Sequence, residues 1–135
     1  MLLKGVGRLF FSDSLKPIYL QIAEWLETEI LAGNFVEDEK VYSQYQLAQM
    51  YNINPATAAR GLNILAEEGI LYKKRGLGMF VAPGAMELVR KRRRQDTLRQ
   101  LVVELVGEAD RLGVTDAELA GLIAAIRREK EEGQE

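Results

Sequence analysis

Two helix-start signals lie close together in the middle of the chain, and they constrain the fold more than any other feature. Ser43 and Gln46 have the spacing of a capping box, in which each side chain bonds the backbone N–H of the other residue. Asn54 followed by Pro55 is a second start, because asparagine caps a helix and proline suits its first position. The turn "NIN" directly precedes this second start. The sequence therefore predicts two short helices joined by a tight turn.

A further helix precedes this pair and a β-hairpin follows it. Pro17 opens a segment with apolar residues at helical spacing, and Gly33 ends it. Gly69 suits the left-handed end of the helix that begins at Pro55. From there the apolar period changes, which predicts strands at 70–73 and 79–81. Helix, helix, turn, helix and hairpin is the order of a winged helix-turn-helix.

Two more helices are predicted beyond the hairpin. Residues 86–113 have a helical pattern throughout, and Thr115 with Glu118 forms another capping box. The chain is thus predicted to be mainly α with a small β-hairpin. Residues 1–82 would form the winged helix-turn-helix domain and residues 83–135 a two-helix C-terminal dimerisation segment.

The C-terminal helices carry apolar stripes that one helical hairpin cannot bury. In the first of them the apolar residues are spaced as a heptad seam of two periods. Such a stripe predicts a homodimer, because a second copy would cover it. The residues expected at the dimer contact are Leu98, Val102, Leu105, Ala109, Leu112, Leu119, Leu122, Ile123 and Ile126.

The composition argues against most enzymatic and membrane functions. The 135 residues include neither cysteine nor histidine, which removes thiol nucleophiles, imidazole bases and the common transition-metal ligands. The remaining acidic pairs have no partner base, so we expect neither enzymatic activity nor a cofactor or metal. No apolar run reaches the length of a membrane span, and "MLLKGVGRLFFSDS", broken by Lys4 and Arg8, does not resemble a secretory signal. The chain is therefore expected to be cytoplasmic.

Charge is strongly segregated along the chain. Residues 40–99 contain eleven cations and four acids, although the whole chain has a net charge of −2. Binding of a polyanion depends on the local field and not on the sum. The middle of the chain is therefore the candidate surface for nucleic acid.

The winged helix-turn-helix order assigns roles within this segment. Its second helix lies in the major groove and its hairpin contacts the backbone or minor groove. Arg60 could bridge to guanine or phosphate, Thr57 could bond a phosphate, and Ala56 permits close approach or meets a thymine methyl. The candidate DNA-binding residues are the two caps Ser43 and Asn54, the helix residues Ala56, Thr57, Arg60 and Asn63, and the hairpin residues Lys73, Lys74, Arg75, Gly76 and Gly78.

Each of these residues also has a simpler interpretation. Arg60 could be an ordinary solvated helix residue. Lysines on an edge strand also discourage aggregation between sheets, which would explain "KKR" at 73–75. The run "RKRRR" at 90–94 could be a second phosphate contact or a solvated stretch of helix.

Three ordered motifs resemble the DNA-binding domain of the GntR family of bacterial transcription regulators, over about residues 15–82. The Pro-Ser-x-Arg start of helix 2 in that family aligns with residues 42–45, which places Tyr45 at a common DNA-contact position. The Asn-Pro-x-Thr start of helix 3 is matched by Asn54, Pro55 and Thr57. The arginine common two positions later is Ala59 here, followed by Arg60. The Arg-Gly-x-Gly wing tip is matched at 75–78.

The short tail resembles the small YtrA-type subgroup of the family. About fifty residues follow Val81, so we expect no dedicated small-molecule effector domain. The resemblance implies a transcription repressor that binds double-stranded DNA as a homodimer on a palindromic operator. The competing hypothesis is a protein-interaction module that uses the winged helix without DNA.

Overall fold

The computed structural model describes residues 15–134. Residues 1–14, which include the segment that does not resemble a secretory signal and the start of the expected 1–82 domain, lie outside the described residues. The described chain is mainly α with one two-stranded antiparallel hairpin, as the sequence predicts. Its elements are α1 (Ile18–Leu31), α2 (Gln44–Tyr51), α3 (Pro55–Glu67), β1 (Leu71–Lys74), β2 (Gly78–Val81), α4 (Ala85–Arg93), a π-helical segment (Arg94–Leu98), α5 (Arg99–Leu112) and α6 (Asp116–Gly133).

The helix boundaries follow the capping signals in the sequence. The Ser43 hydroxyl accepts from the Gln46 N–H at 3.1 Å, and the Gln46 side chain accepts from the Ser43 N–H at 2.8 Å. Asn54 Oδ1 accepts from the Ala56 N–H at 2.8 Å. Thr115 forms the second capping box at the start of α6. These side chains satisfy backbone donors that a helix start leaves unpaired.

The chain divides into two compact units between Arg92 and Arg93. In the first unit, α1, α2, α3 and the hairpin surround one apolar core. Ala85 and Val89 of α4 are fully buried in that core. The compact unit therefore extends ten residues beyond the domain boundary expected at residue 82, because the first half of α4 supplies core side chains.

Helix α3 approaches α1 closely at Gly61, which is buried. A Cβ at this position would lie 2.8 Å from the carbonyl oxygen of Tyr19 and 3.1 Å from Cγ2 of Ile22. Only glycine fits between the helices at this distance without a shift. The buried stripe of α3, formed by Ala58, Leu62 and Leu65, then completes the α1–α3 contact.

One arginine of the "RKRRR" run has a structural role. Arg92 pairs with Glu27 of α1, a residue that is only 1% exposed, and with Glu68 beside α3 at 2.5 Å. Arg90 forms an exposed pair with Glu87 at 2.5 Å. Neither interpretation of the run therefore describes Arg92, which holds a buried carboxylate and links α4 to α1 and α3.

The second unit contains the π-helical segment, α5 and α6. The π-helical segment interrupts the helix expected over 86–113, and nothing in the local sequence pattern predicts it. Gly113 ends α5 with a φ of +69°. Among the helices described over 15–134, none combines the length and the apolar composition needed to cross a membrane.

Gly61→Ala is expected to lower the free energy of unfolding of the first unit by about 1–2 kcal/mol. Because the added Cβ would clash with a backbone oxygen, overpacking should cost about 2–3 kcal/mol, the upper part of its usual range, and alanine regains roughly 1 kcal/mol of helix propensity over glycine. Urea unfolding followed by the fluorescence of Trp25, the only tryptophan in the chain, measures the change.

Gly121→Ala in α6 is the matched control, because nothing lies within 4 Å of its added Cβ. We expect it to leave the Trp25 transition unchanged. A Gly61→Ala variant as stable as the wild type would contradict the close helix contact.

Arg92→Ala is expected to lower the free energy of unfolding by about 3 kcal/mol. The variant leaves the buried Glu27 carboxylate without this guanidinium, and breaking a buried ion pair from one side is strongly destabilising. Arg90→Ala, which removes the same side chain from an exposed pair, should change it by less than about 1 kcal/mol. Equal effects of the two substitutions in the same urea experiment would show that Arg92 is only a surface residue.

Candidate nucleic-acid interface

The turn between α2 and α3 sets the start of the candidate recognition helix. Asn52 ends α2 in the left-handed conformation with a φ of +53°, which asparagine tolerates better than most residues. Ile53 then bonds back to the carbonyl of Ala48 at 3.0 Å. Asn54, the next residue, caps α3. The candidate residues Ser43 and Asn54 therefore use their side chains as helix caps, which orients both helix starts.

The two faces of α3 differ sharply in exposure. Its apolar stripe is buried, whereas the opposite face is open to solvent. The exposed residues of that face are Ala56, Arg60, Asn63 and Glu67, with Thr57 and Ile64 partly exposed beside them. This face offers a hydroxyl, a guanidinium and an amide at successive spacings of three residues. Such groups can bond base edges or phosphate oxygens.

Arg60 contacts an aromatic ring of another helix. Its guanidinium carbon lies 3.8 Å from the ring centroid of Tyr19 in α1. The local pattern of α3 does not predict this contact, because the two residues are far apart in the sequence. Arg60 is nevertheless exposed, so its polar edge can reach a ligand.

The hairpin carries its cations on exposed positions. Lys73, Lys74 and Arg75 are all exposed at the end of β1 and in the turn. Gly76 has a φ of +77° and Gly78 a φ of +116°, conformations that favour glycine. The turn therefore brings three consecutive cations next to a backbone that has no Cβ at two of its positions.

Aromatic rings support one of these cations. Tyr72 and Phe80 occupy paired positions of β1 and β2 and stack with their centroids 5.8 Å apart. The ammonium of Lys74 lies 4.6 Å from the Phe80 centroid and 5.8 Å from that of Tyr72. The hydroxyl of Tyr72 donates to Asp38 at 2.7 Å, and this hydrogen bond raises the pKa of Tyr72. The tyrosine is thus a neutral donor at neutral pH, and the rings hold Lys74 at the hairpin surface.

The segment before α2 pairs with strand β2 of the hairpin. Lys40 makes an isolated antiparallel bridge with Phe80, and Val41 donates to the carbonyl of Met79 at 3.0 Å. A Cβ added at Gly78 would lie 3.0 Å from Cε of Lys40. Lys40 therefore adds a cation beside the turn, although its sequence context, "EDEK", shows no strand pattern. The sequence indicated Lys40 only as one of the eleven cations of residues 40–99.

Tyr45 and most of the expected dimer residues are exposed. Tyr45, in the first turn of α2, is 70% exposed. In the second unit, large apolar residues are exposed on the π-helical segment, α5 and α6. They include the expected Leu98, Val102, Leu105, Leu112, Leu122, Ile123 and Ile126. Ala109 is an exception, because it is only 5% exposed within the single chain. Leu119 is partly buried. Leu101, Val103 and Val106 are further exposed apolar residues that the heptad pattern does not include.

Relatives of the chain include curated transcription regulators. The chain is 38% identical over 71 residues to the HTH-type transcriptional repressor NagR of Bacillus subtilis (strain 168). This alignment covers 53% of this chain and 29% of NagR. The chain therefore matches less than a third of the length of that repressor. It is 31% identical over 107 residues to the HTH-type transcriptional regulator YhcF of the same organism, covering 79% of this chain and 87% of YhcF.

Solved structures give the same fold. A GntR family transcriptional regulator from Listeria monocytogenes superposes with a TM-score of 0.69 at 30% identity, covering 85% of this chain and 98% of that chain. A chain described as AraR(DBD) in complex with operator ORX1 has a TM-score of 0.51 at 28% identity, covering 55% of this chain and 93% of its own. YtrA from Sulfolobus acidocaldarius shares the fold, with a TM-score of 0.57 at 22% identity over 76% of this chain and 98% of its own.

The family assignment rests on both the domain and the longer alignment. Residues 18–81 match the family model described as bacterial regulatory proteins, gntR family. The alignment to YhcF extends the similarity over most of both chains. The chain belongs to the GntR family of bacterial transcription regulators.

Proposed function

We propose that the protein is a cytoplasmic transcription repressor that binds a palindromic operator in double-stranded DNA as a homodimer. Helix α3 enters the major groove, and the β1–β2 hairpin contacts the backbone beside it. The observation that carries the proposal is the joint exposure of Arg60 and of the cations at 73–75 within one compact unit. The similar fold of a chain bound to operator ORX1 supports DNA as the ligand over the alternative of a module that binds only protein.

The residues of α3 divide between base and phosphate contacts. Arg60 bonds a guanine or a phosphate through its planar N–H groups, and Asn63, one turn later, offers an amide to a second base. Thr57 bonds a phosphate in the first turn. Ala56 lies beside the helix start, where a small side chain permits close approach to the groove. Arginine at a guanine edge gives base preference, whereas the hydroxyl positions the helix without reading sequence.

The hairpin and the helix caps contact the phosphates. Lys73, Lys74 and Arg75 neutralise the backbone, and the missing Cβ atoms at Gly76 and Gly78 let the turn approach it. Lys40 extends the same cationic surface. Near the cap Ser43, Tyr45 packs its ring on a sugar or donates its hydroxyl to a phosphate, at the position where the family pattern has arginine. Near the cap Asn54, the positive end of the α3 dipole favours an anion.

The second unit forms the homodimer. Leu98, Val102, Leu105 and Leu112 of the first stripe are at least 43% exposed in the single chain, as are Leu122, Ile123 and Ile126 of α6. Soluble proteins seldom expose so many large apolar side chains on two helices unless a partner covers them. A second copy does so symmetrically and gives the complex two recognition helices for the two halves of a palindrome. No dedicated domain for a small effector is part of this proposal.

The first experiment selects bound duplexes from a randomised library with the wild-type protein and measures affinity for the selected duplex and for a scrambled one. Arg60→Ala is expected to weaken binding to the selected duplex by about 1–3 kcal/mol, because a bidentate base contact is lost. Lys74→Ala is expected to weaken both duplexes equally and to reduce the slope of log K against log salt by about 1.

Lys130→Ala, which removes an exposed lysine of α6, is the control for net charge and should leave both affinities unchanged. Equal losses for Arg60→Ala on the selected and the scrambled duplex would contradict base recognition by α3. A wild-type protein that enriches no duplex at low salt would overturn the proposed function.

Leu105→Asp is expected to raise the dimer dissociation constant at least about a hundredfold, because the dimer would bury an unpaired carboxylate in an apolar contact. Sedimentation velocity over a concentration series measures the shift to monomer. Gln100→Asp introduces the same side chain at an exposed polar position of α5 and should leave the dimer intact. A wild type that stays monomeric at all concentrations, or a Leu105→Asp variant that dimerises normally, would refute this interface.

A further inference from the structure

The contact between Arg60 and Tyr19 bears on how the protein would recognise DNA sequence. We infer that Tyr19 is a positioning residue: its ring holds the Arg60 guanidinium in place before DNA arrives, and so contributes to base preference at the position that Arg60 reads. This inference rests on the proposed function. It adds a residue of α1 to the determinants of specificity, which the proposed function places on α3.

The geometry shows that the contact is built into the helix packing. The guanidinium carbon of Arg60 is 3.8 Å from the ring centroid of Tyr19, a distance at which a cation is attracted by the ring quadrupole. Gly61, the next residue along α3, is where that helix meets the backbone of Tyr19. The close approach at Gly61 therefore brings the ring and the guanidinium of the neighbouring residue together.

Hydrogen bonds in the first turn of α1 fix the backbone that carries the ring. The backbone N–H of Leu20 and that of Gln21 both donate to the carbonyl of Pro17, at 3.1 and 3.2 Å. The side-chain amide of Gln21 donates to the carbonyl of Lys16 at 2.9 Å. Tyr19 lies between these bonded residues and is only partly exposed. The ring is consequently carried by a hydrogen-bonded helical turn, unlike a side chain on a surface loop.

The chemistry of the contact leaves Arg60 able to bind. A guanidinium that stacks on a ring uses its face, while its N–H donors point outward in the plane and keep their fork geometry. Immobilising a long side chain normally opposes binding. Since Tyr19 already restricts Arg60 in the unbound protein, less conformational entropy is lost when the guanidinium meets its ligand.

Tyr19→Leu is expected to weaken binding to the selected duplex roughly three- to tenfold and to leave the scrambled duplex nearly unaffected. Tyr19→Phe keeps the aromatic face and should retain wild-type affinity. Ile18→Ala, in the same turn of α1 and exposed, is the matched control and should also behave as wild type. In the Arg60→Ala background, Tyr19→Leu should cause no further loss.

A repeat of the selection separates positioning from a general structural role. The duplexes enriched by Tyr19→Leu should lose base preference at the same position as those enriched by Arg60→Ala. Side-chain NMR of the unbound wild type provides a readout that does not depend on folding of the variant. The Arg60 CδH₂ protons should be shifted upfield by the ring current, and this shift should persist in Tyr19→Phe.

Three results would overturn the inference while leaving the proposed function intact, provided the wild type enriches a duplex. One is an Arg60 side chain without a ring-current shift in the wild type. Another is unchanged or tighter binding by Tyr19→Leu, because tighter binding would mean that the ring withholds Arg60 from DNA. The third is a loss that persists in the Arg60→Ala background. A wild type that binds no duplex would instead refute the proposed function itself.

Discussion

The close packing of α3 against α1 at Gly61 is the contact on which the arrangement of the first unit depends. The absence of a side chain at this one position lets the two helices approach until the carbonyl oxygen of Tyr19 lies where a Cβ would clash. Packing this close fixes the rotation of α3 about its own axis, because Ala58, Leu62 and Leu65 must then face the core. The opposite face, with Arg60 near its centre, is consequently the one left exposed.

The hairpin gains its rigidity from outside its own two strands. A two-stranded hairpin is marginally stable alone, but here Asp38 donates its backbone N–H to Val81 at 2.8 Å, and Val81 donates to Glu39 at 2.9 Å. The side chain of Asp38 also accepts from Tyr72. These bonds attach the hairpin to the segment that leads into α2. The cations of the hairpin and the start of the helix-turn-helix are thereby held in one framework.

Local signals made most of the fold predictable, while contacts between distant residues did not follow from them. Ser43 and Asn54 mark helix starts through bonds to residues two or three positions away, and such bonds can be recognised in the sequence. Lys40 joins the hairpin through pairing with a strand that lies forty residues later, so its context could not reveal its place. The same holds for the candidate site. The exposed face of α3 follows from the periodicity of its apolar residues, whereas the contact of Arg60 with the Tyr19 ring depends on how two helices pack and could not be predicted from either one.

Arg92 and Arg60 illustrate how the environment divides one residue type between stability and the proposed binding role. Arg92 meets two carboxylates, one of them on the buried Glu27, and these ion pairs occupy its charge and both its terminal nitrogens. Arg60 meets the face of an uncharged ring, which restricts its motion but neutralises nothing. A cation held in this way keeps its full charge and its in-plane donors for an anionic ligand. Only part of the positive charge in the middle of the chain is therefore available to the proposed binding surface, and the partner of each side chain determines which part.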